Sequence, residues 1–262
     1  MKELFRELFE RALSTNNQNI VALCRPVLQR AARPWICDLG CGNSALTEQI
    51  AGLAPGARVQ AVEIHEPYVV AARAKGFDTT SADLNGSLPL PSDRFDLVVS
   101  NQVIEHVHNT DSFLSEAYRI TKPGGTAVIA TENAASWHNI FALLLGWQAF
   151  SLTNISDKRS GIGNPLAIHA GEVGLLPPMQ HQRLYTLRAL RDLFRLQGFQ
   201  CLETTGAGYH PLFPRLGRLD PNHSHFIAIC GQKPAPSDGA QRLFAPRQRA
   251  RSAVLAVRSL VG

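Results

Sequence analysis

At 262 residues with 45% apolar side chains, the chain is long enough to bury a sizeable core as one domain with insertions, which excludes an intrinsically disordered protein. The net charge of +5 is unevenly placed: residues 233–262 carry Lys233, Arg242, Arg247, Arg249, Arg251 and Arg258 against Asp238 alone, leaving 20 basic and 20 acidic residues over positions 1–232. A neutral body has no field to gather nucleic acid, so no nucleic-acid partner is expected and any affinity for polyanions belongs to the tail.

The N-terminus "MKELFRELFERAL" has acidic residues throughout, and its apolar positions 4, 5, 8, 9, 12 and 13 form one helical stripe, which reads as a helix and not as a targeting segment. "IVALCRPVL" continues as a second helical segment with Pro26 as a kink or boundary, so residues 1–34 are expected to be helices that cover the site ahead of the first strand. Short β-rich runs then alternate with helical ones. "WICDLG" precedes a helix over 44–52, "ARVQAVEI" one over 66–75, and "FDTTSAD" and "FDLVVSN" one over 110–120, before "TAVIATE". Such alternation predicts a parallel sheet with helices on both faces. The helix over 110–120 stops at "KPGG", where proline and two glycines cannot continue it.

After Thr131 the pattern breaks for about fifty residues, until "TLRALRDLFRLQGF" restores a capped amphipathic helix closed by Gly198. "QCLETT" and "SHFIAIC" then read as an antiparallel pair at the sheet edge, joined by the long loop "GYHPLFPRLGRLDPN". The five cysteines, Cys24, Cys37, Cys41, Cys201 and Cys230, are odd in number and lack the spacing of a zinc knuckle, which fits a reducing cytoplasm. The longest apolar stretch, "IFALLLGW", is too short to span a bilayer.

The chemistry concentrates in "ICDLGCGNSAL", where a buried strand hands over to a helix. A phosphate-cradling fingerprint would read G-x-G-x-x-G; here Gly40 and Gly42 are followed by Ala45, and there is no Walker lysine. Asp38, two residues before the first glycine, would repel a pyrophosphate and attract a cation. An NAD-type oxidoreductase is disfavoured on both counts.

"DLGCGNS" resembles motif I of class I S-adenosylmethionine-dependent methyltransferases, and the chain is similar to the methyltransferase type 11 group. The resemblance runs in order over residues 36–132. It implies that Asp38, Gly40, Cys41 and Gly42 hold the amino-acid end of the cofactor, with Ser44 able to cap the next helix. It makes Glu63 the acceptor for both ribose hydroxyls, Ile64 a packing surface for adenine, Asp83 with Leu84 the reader of the adenine edge, and Asn101 a neighbour of the methionine portion. It further implies a Rossmann-like doubly wound α/β sheet of seven strands, mostly parallel with one antiparallel edge strand. The domain would occupy residues 35–232, with an insertion at 132–185 after the fifth strand as substrate cap and a basic tail at 233–262.

The expected activity is in-line methyl transfer to an oxygen, less readily to a nitrogen or carbon, of a small-molecule, lipid or glycan acceptor, with S-adenosylhomocysteine as product. A cofactor-binding but catalytically silent partner subunit remains the alternative. Some ubiquinone-pathway O-methyltransferases that resemble this segment bind a divalent metal through an "E-x-x-E-H" pattern. This chain reads "QVIEH", with Gln102 replacing the first carboxylate, so no metal is expected. His106 is then a candidate base or acceptor-orienting group, or a structural histidine within the loop. In the insertion, His138, His169 and, just outside the helix that follows, His181 are further base candidates; Trp137, His138, Trp147 and His169 are candidate substrate contacts. A looser likeness of this region is to methyltransferases of bacterial polysaccharide, lipid or secondary-metabolite pathways. The tail "RLFAPRQRARSAVLAVRSLVG" can form a basic amphipathic helix for a membrane or protein contact.

Overall fold

The computed structural model describes residues 2–167, 169–171, 180–210 and 212–235. The tail reading, apart from Lys233 to Ala235, lies outside the described residues. No helix among the described residues is long and apolar enough to cross a membrane.

A single helix, α1 (Lys2–Leu28), opens the chain where two segments were expected. Pro26 lies in its last turn, so its missing N–H costs one hydrogen bond and does not divide the helix. The polar stretch of α1 stays helical because Asn16 and Asn19 are buried and bonded to the domain: Asn16 Nδ2 donates to Asn101 Oδ1 at 2.9 Å and Asn19 Nδ2 to the Gly206 carbonyl at 3.1 Å. The remaining elements follow as β1 (Trp35–Leu39), α2 (Ala45–Ala51), β2 (Arg58–Glu63), α3 (Glu66–Ala74), β3 (Asp78–Ser81), β4 (Phe95–Asn101), α4 (Thr110–Ile120), β5 (Thr121–Glu132), α5 (Trp137–Leu144), α6 (Leu187–Leu196), β6 (Gln200–Ala207) and β7 (Phe226–Gln232).

The seven strands order as β3-β2-β1-β4-β5-β7-β6. β1 to β5 pair in parallel, while β7 runs antiparallel to both β5 and β6, giving the antiparallel pair expected at that edge. Side-chain alternation along the central strands fills two layers. Cys37, Leu39, Val98, Ala127 and Ile129 face α4 and α6, which contribute Phe113, Leu114, Ala117, Leu190 and Phe194. Ile36, Leu97, Val99, Val128 and Ala130 face Ile20, Leu23, Cys24 and Val27 of α1 and Ile50 of α2. The strands read as nearly continuous apolar runs because both faces are covered. All five cysteines are unpaired.

The order reverses between β1 and β4, since β1 leads outward to β2 and β3 before the chain crosses to β4. The carboxyl ends of strands at such a point leave a crevice for a ligand. The acidic and amide residues of the motif lie at strand ends there or just beyond them.

Candidate active site

β1 stops at Leu39, and Gly40, Gly42 and Ser44 turn the chain through positive φ values of 80°, 50° and 61° into α2. A Cβ on Gly40 would fall 2.4 Å from Cγ2 of Val103, so glycine alone lets the loop pass beneath the β4–α4 connection. Gly42 faces open space. Ser44 makes no side-chain cap to α2, contrary to the expectation; the Ala45 N–H is bonded instead by Asn43 Oδ1 at 3.1 Å, because the left-handed conformation of Ser44 turns its hydroxyl to Cys41 Sγ.

Asp38 is 4% exposed and accepts one side-chain hydrogen bond, from Thr47 Oγ1 at 2.6 Å. No ion pair reaches it among the described residues. Burial, with Glu63 nearby, pushes its carboxyl up to about 6. Glu63 ends β2 with its Oε2 bonded by the Gly42 N–H at 2.9 Å and its Oε1 by the N–H groups of Ile64 and His65, each at 2.9 Å. Asp83 lies two residues beyond β3, exposed, its Oδ1 accepting from the backbone and side-chain nitrogens of Asn85. Asn101, at the end of β4, accepts from Asn16 and donates to Asn17 Oδ1 at 3.1 Å, which docks α1 over the site.

These residues line one cavity of about 920 Å³. Asp38, Gly40, Cys41, Gly42, Glu63, Ile64, Asp83, Leu84 and Asn101, all nine cofactor candidates, are on its wall. So are Leu13 and Asn17 of α1, and His65, Tyr68, Gln180 and Gln182, which sequence reasoning did not single out. Leu13, Asn17, Gln180 and Gln182 come from distant parts of the chain, which no local signal marks, whereas His65 and Tyr68 follow directly on Glu63 and Ile64 and were legible from that adjacency.

Gln102, Val103 and His106 line the same cavity. Gln102 adopts φ +55° and its buried Nε2 has no partner among the described residues. Glu105 is 0% exposed; Oε2 accepts from Thr131 Oγ1 at 2.8 Å, Oε1 has no partner among the described residues, and burial pushes the carboxyl up to about 7. His106 Nδ1 donates to the Gln180 carbonyl at 3.2 Å, and burial with His181 beside it lowers its basicity to about 4, so it is neutral at physiological pH. His181, whose Nδ1 donates to the Ser151 carbonyl at 2.6 Å, packs edge-on against His106 with ring centroids 4.7 Å apart.

The structure does not bring the insertion's other candidates to this cavity. Trp137 stacks on His223, with ring centroids 4.5 Å apart, and donates to the Tyr209 hydroxyl. His138 joins His210 and His225 in a separate imidazole cluster, where burial lowers it to about 3. His169 lies near Phe9 of α1, and Trp147 closes the turn after α5 through its N–H to the Ala142 carbonyl. Contacts outside the insertion, with Phe9 of α1 and with Tyr209, His210, His223 and His225, engage Trp137, His138 and His169.

An open α/β sheet of this strand order, with carboxylates and no phosphate loop at its switch point, is the fold of a class I S-adenosylmethionine-dependent methyltransferase. Residues 37–129 match the family described as a methyltransferase domain, and the chain carries such a domain. It is 31% identical over 122 residues to the mitochondrial ubiquinone biosynthesis O-methyltransferase of Rattus norvegicus, covering 43% of this chain and 35% of that protein. To the ubiquinone biosynthesis O-methyltransferase of Methylobacterium sp. (strain 4-46) it is 29% identical over 207 residues, 76% of this chain and 73% of that one. The chain thus spans about a third of the length of the rat relative. A solved S-adenosylmethionine-dependent methyltransferase from Methanosarcina mazei shares the fold, with a TM-score of 0.55 and 18% identity over 79% of this chain and 95% of that one.

Proposed function

We propose that this chain transfers the methyl group of S-adenosylmethionine to a hydroxyl oxygen of a small acceptor, of small-molecule, lipid or glycan type. The observation that carries the reading is Asp38: a buried carboxylate on the cavity wall with one hydroxyl partner and no cation among the described residues, which a cofactor bearing an ammonium and a sulfonium satisfies. Glu63, already oriented by three backbone N–H groups, keeps one lone pair, on Oε2, for a ribose hydroxyl. Ile64, 49% exposed on the same wall, offers an apolar face to adenine.

Chemistry then follows from placement. The acceptor oxygen bonds to the methyl carbon as the carbon–sulfur bond breaks, and the cofactor leaves as S-adenosylhomocysteine; holding the two in line is the main contribution. The hydroxyl proton must leave with the transfer. The neutral His106, fixed through Nδ1, presents Nε2 to take a hydrogen bond from that hydroxyl and aim its lone pair. The names of the ubiquinone O-methyltransferase relatives support oxygen as the accepting atom.

Calorimetry tests the reading: the protein should bind S-adenosylmethionine and S-adenosylhomocysteine, and an acceptor screen should release the latter. Binding of NAD with none for either cofactor form would overturn it. Cofactor binding with no turnover on any hydroxyl-bearing acceptor class would favour the silent partner subunit.

A further inference from the structure

Glu105, His106 and His181 each offer one donor atom, and these atoms all lie within 4.8 Å of one another. Glu105 is wholly buried with Oε1 unpartnered among the described residues, an arrangement that costs stability unless something positive meets it. Both imidazoles donate Nδ1–H to backbone carbonyls, of Gln180 and Ser151, which fixes the rings and leaves Nε2 as the lone-pair nitrogen of each. Metal-ligating histidines hold their second nitrogen in this way. His106 also lines the cavity, so the cluster borders the space left for an acceptor.

We propose that Glu105, His106 and His181 bind one divalent transition-metal ion, with His181, brought in by the chain between the insertion and α6, supplying the ligand that Gln102 cannot. The binding itself stands on the donor geometry; what the ion does rests on the methyltransferase reading. Two imidazole nitrogens and one carboxylate suit Zn2+ or Fe2+ better than Mg2+, which prefers an all-oxygen shell. A three-ligand set leaves a position for an acceptor oxygen, whose proton a Lewis acid makes easier to lose. In the loaded protein His106 is therefore a ligand, and the ion orients the acceptor in its place. Ligation also ties His181 to the wall formed by Glu105, adding to the bond from the Gln182 N–H to the Glu105 carbonyl at 2.7 Å.

The test uses the full chain stripped with a chelator and titrated with Co2+ as a spectroscopic probe, then with Zn2+ and Mg2+ in a calorimeter. One equivalent of Co2+ should give visible absorption bands that Zn2+ abolishes, with Mg2+ binding far more weakly. His181→Asn and Glu105→Gln should each weaken Zn2+ by about tenfold or more. S-adenosylhomocysteine binding on the same samples reports folding. Absence of Co2+ and Zn2+ binding by the parent protein, or an unchanged Zn2+ affinity in a folded His181→Asn variant, overturns the proposal. If that variant loses the cofactor as well, His181→Cys decides: Zn2+ binding regained through the thiolate supports the site, and none regained overturns it. Failure of the parent protein to bind S-adenosylhomocysteine would instead strike the methyltransferase reading and leave the metal result standing.

Discussion

The Glu63 carboxylate and the Gly42 N–H are joined at 2.9 Å, so the end of β2 fastens the glycine loop that follows β1. The other carboxylate oxygen holds the Ile64 and His65 N–H groups, and one side chain therefore shapes both walls of the cavity. Glu63→Gln replaces one acceptor oxygen by an NH2 group that faces an N–H donor. S-adenosylhomocysteine affinity should fall by about 10- to 100-fold, in line with roughly 1.5–3 kcal/mol for hydrogen bonds to a charged group. Isothermal titration calorimetry measures it; an affinity within twofold of the parent would remove Glu63 from the cofactor site.

Asp38 sets a pH dependence. Burial raises its carboxyl to about 6 in the cofactor-free protein, while the cationic cofactor requires the ionised form. Affinity should climb with pH up to about 6 and level off above, which a pH series of titrations can follow. A flat profile between pH 5 and 7 would contradict the role given to Asp38.

The same shift has a stability consequence of opposite sign. An acid that is harder to ionise in the folded chain favours folding below its unfolded value and loses that advantage as pH rises towards about 6. Asp38→Asn should therefore stabilise the cofactor-free protein above pH 7, by at most about 3 kcal/mol, and make little difference at pH 4. It should abolish cofactor binding. Thermal unfolding at the two pH values, with and without S-adenosylhomocysteine, separates the two effects.

Gly40 tests the close approach of loop and Val103. Gly40→Ala places a methyl group 2.4 Å from Val103 Cγ2 at φ +80°, and should cost about 2–4 kcal/mol from overpacking plus backbone strain. Adding Val103→Ala should recover part of that loss and leave the strain. Denaturant unfolding of the four proteins of this cycle gives the coupling; strictly additive losses would show that the contact does not limit the loop.

Asn101 links α1 to the cavity through Asn16 and Asn17. Asn101→Ala leaves Asn16 without its side-chain partner, a loss of about 1–3 kcal/mol. Faster amide exchange along α1 and a weaker cofactor affinity should appear together. Unchanged exchange in α1 would show that its apolar face alone holds it.

Sequence by itself determined the sheet, the cofactor end and the class of ligand. Strand and helix periods are local, and Asp38, Gly40, Gly42, Glu63 and Asp83 each sit at a strand end or a few residues beyond, so topology gathers them at one edge. Continuity of α1 through Pro26 was decided by burial against β5, β6 and β7, which no local rule for proline contains. The surroundings of His106 were decided by tertiary structure alone. His138 and Trp137 looked eligible by type and position, yet they pack among His210, His225, Tyr209 and His223, while His181, 75 residues from His106, meets it edge-on. A helix or strand period cannot say which way an irregular segment of fifty residues folds back, because that choice is made by burial and hydrogen bonding between parts of the chain that are distant in sequence.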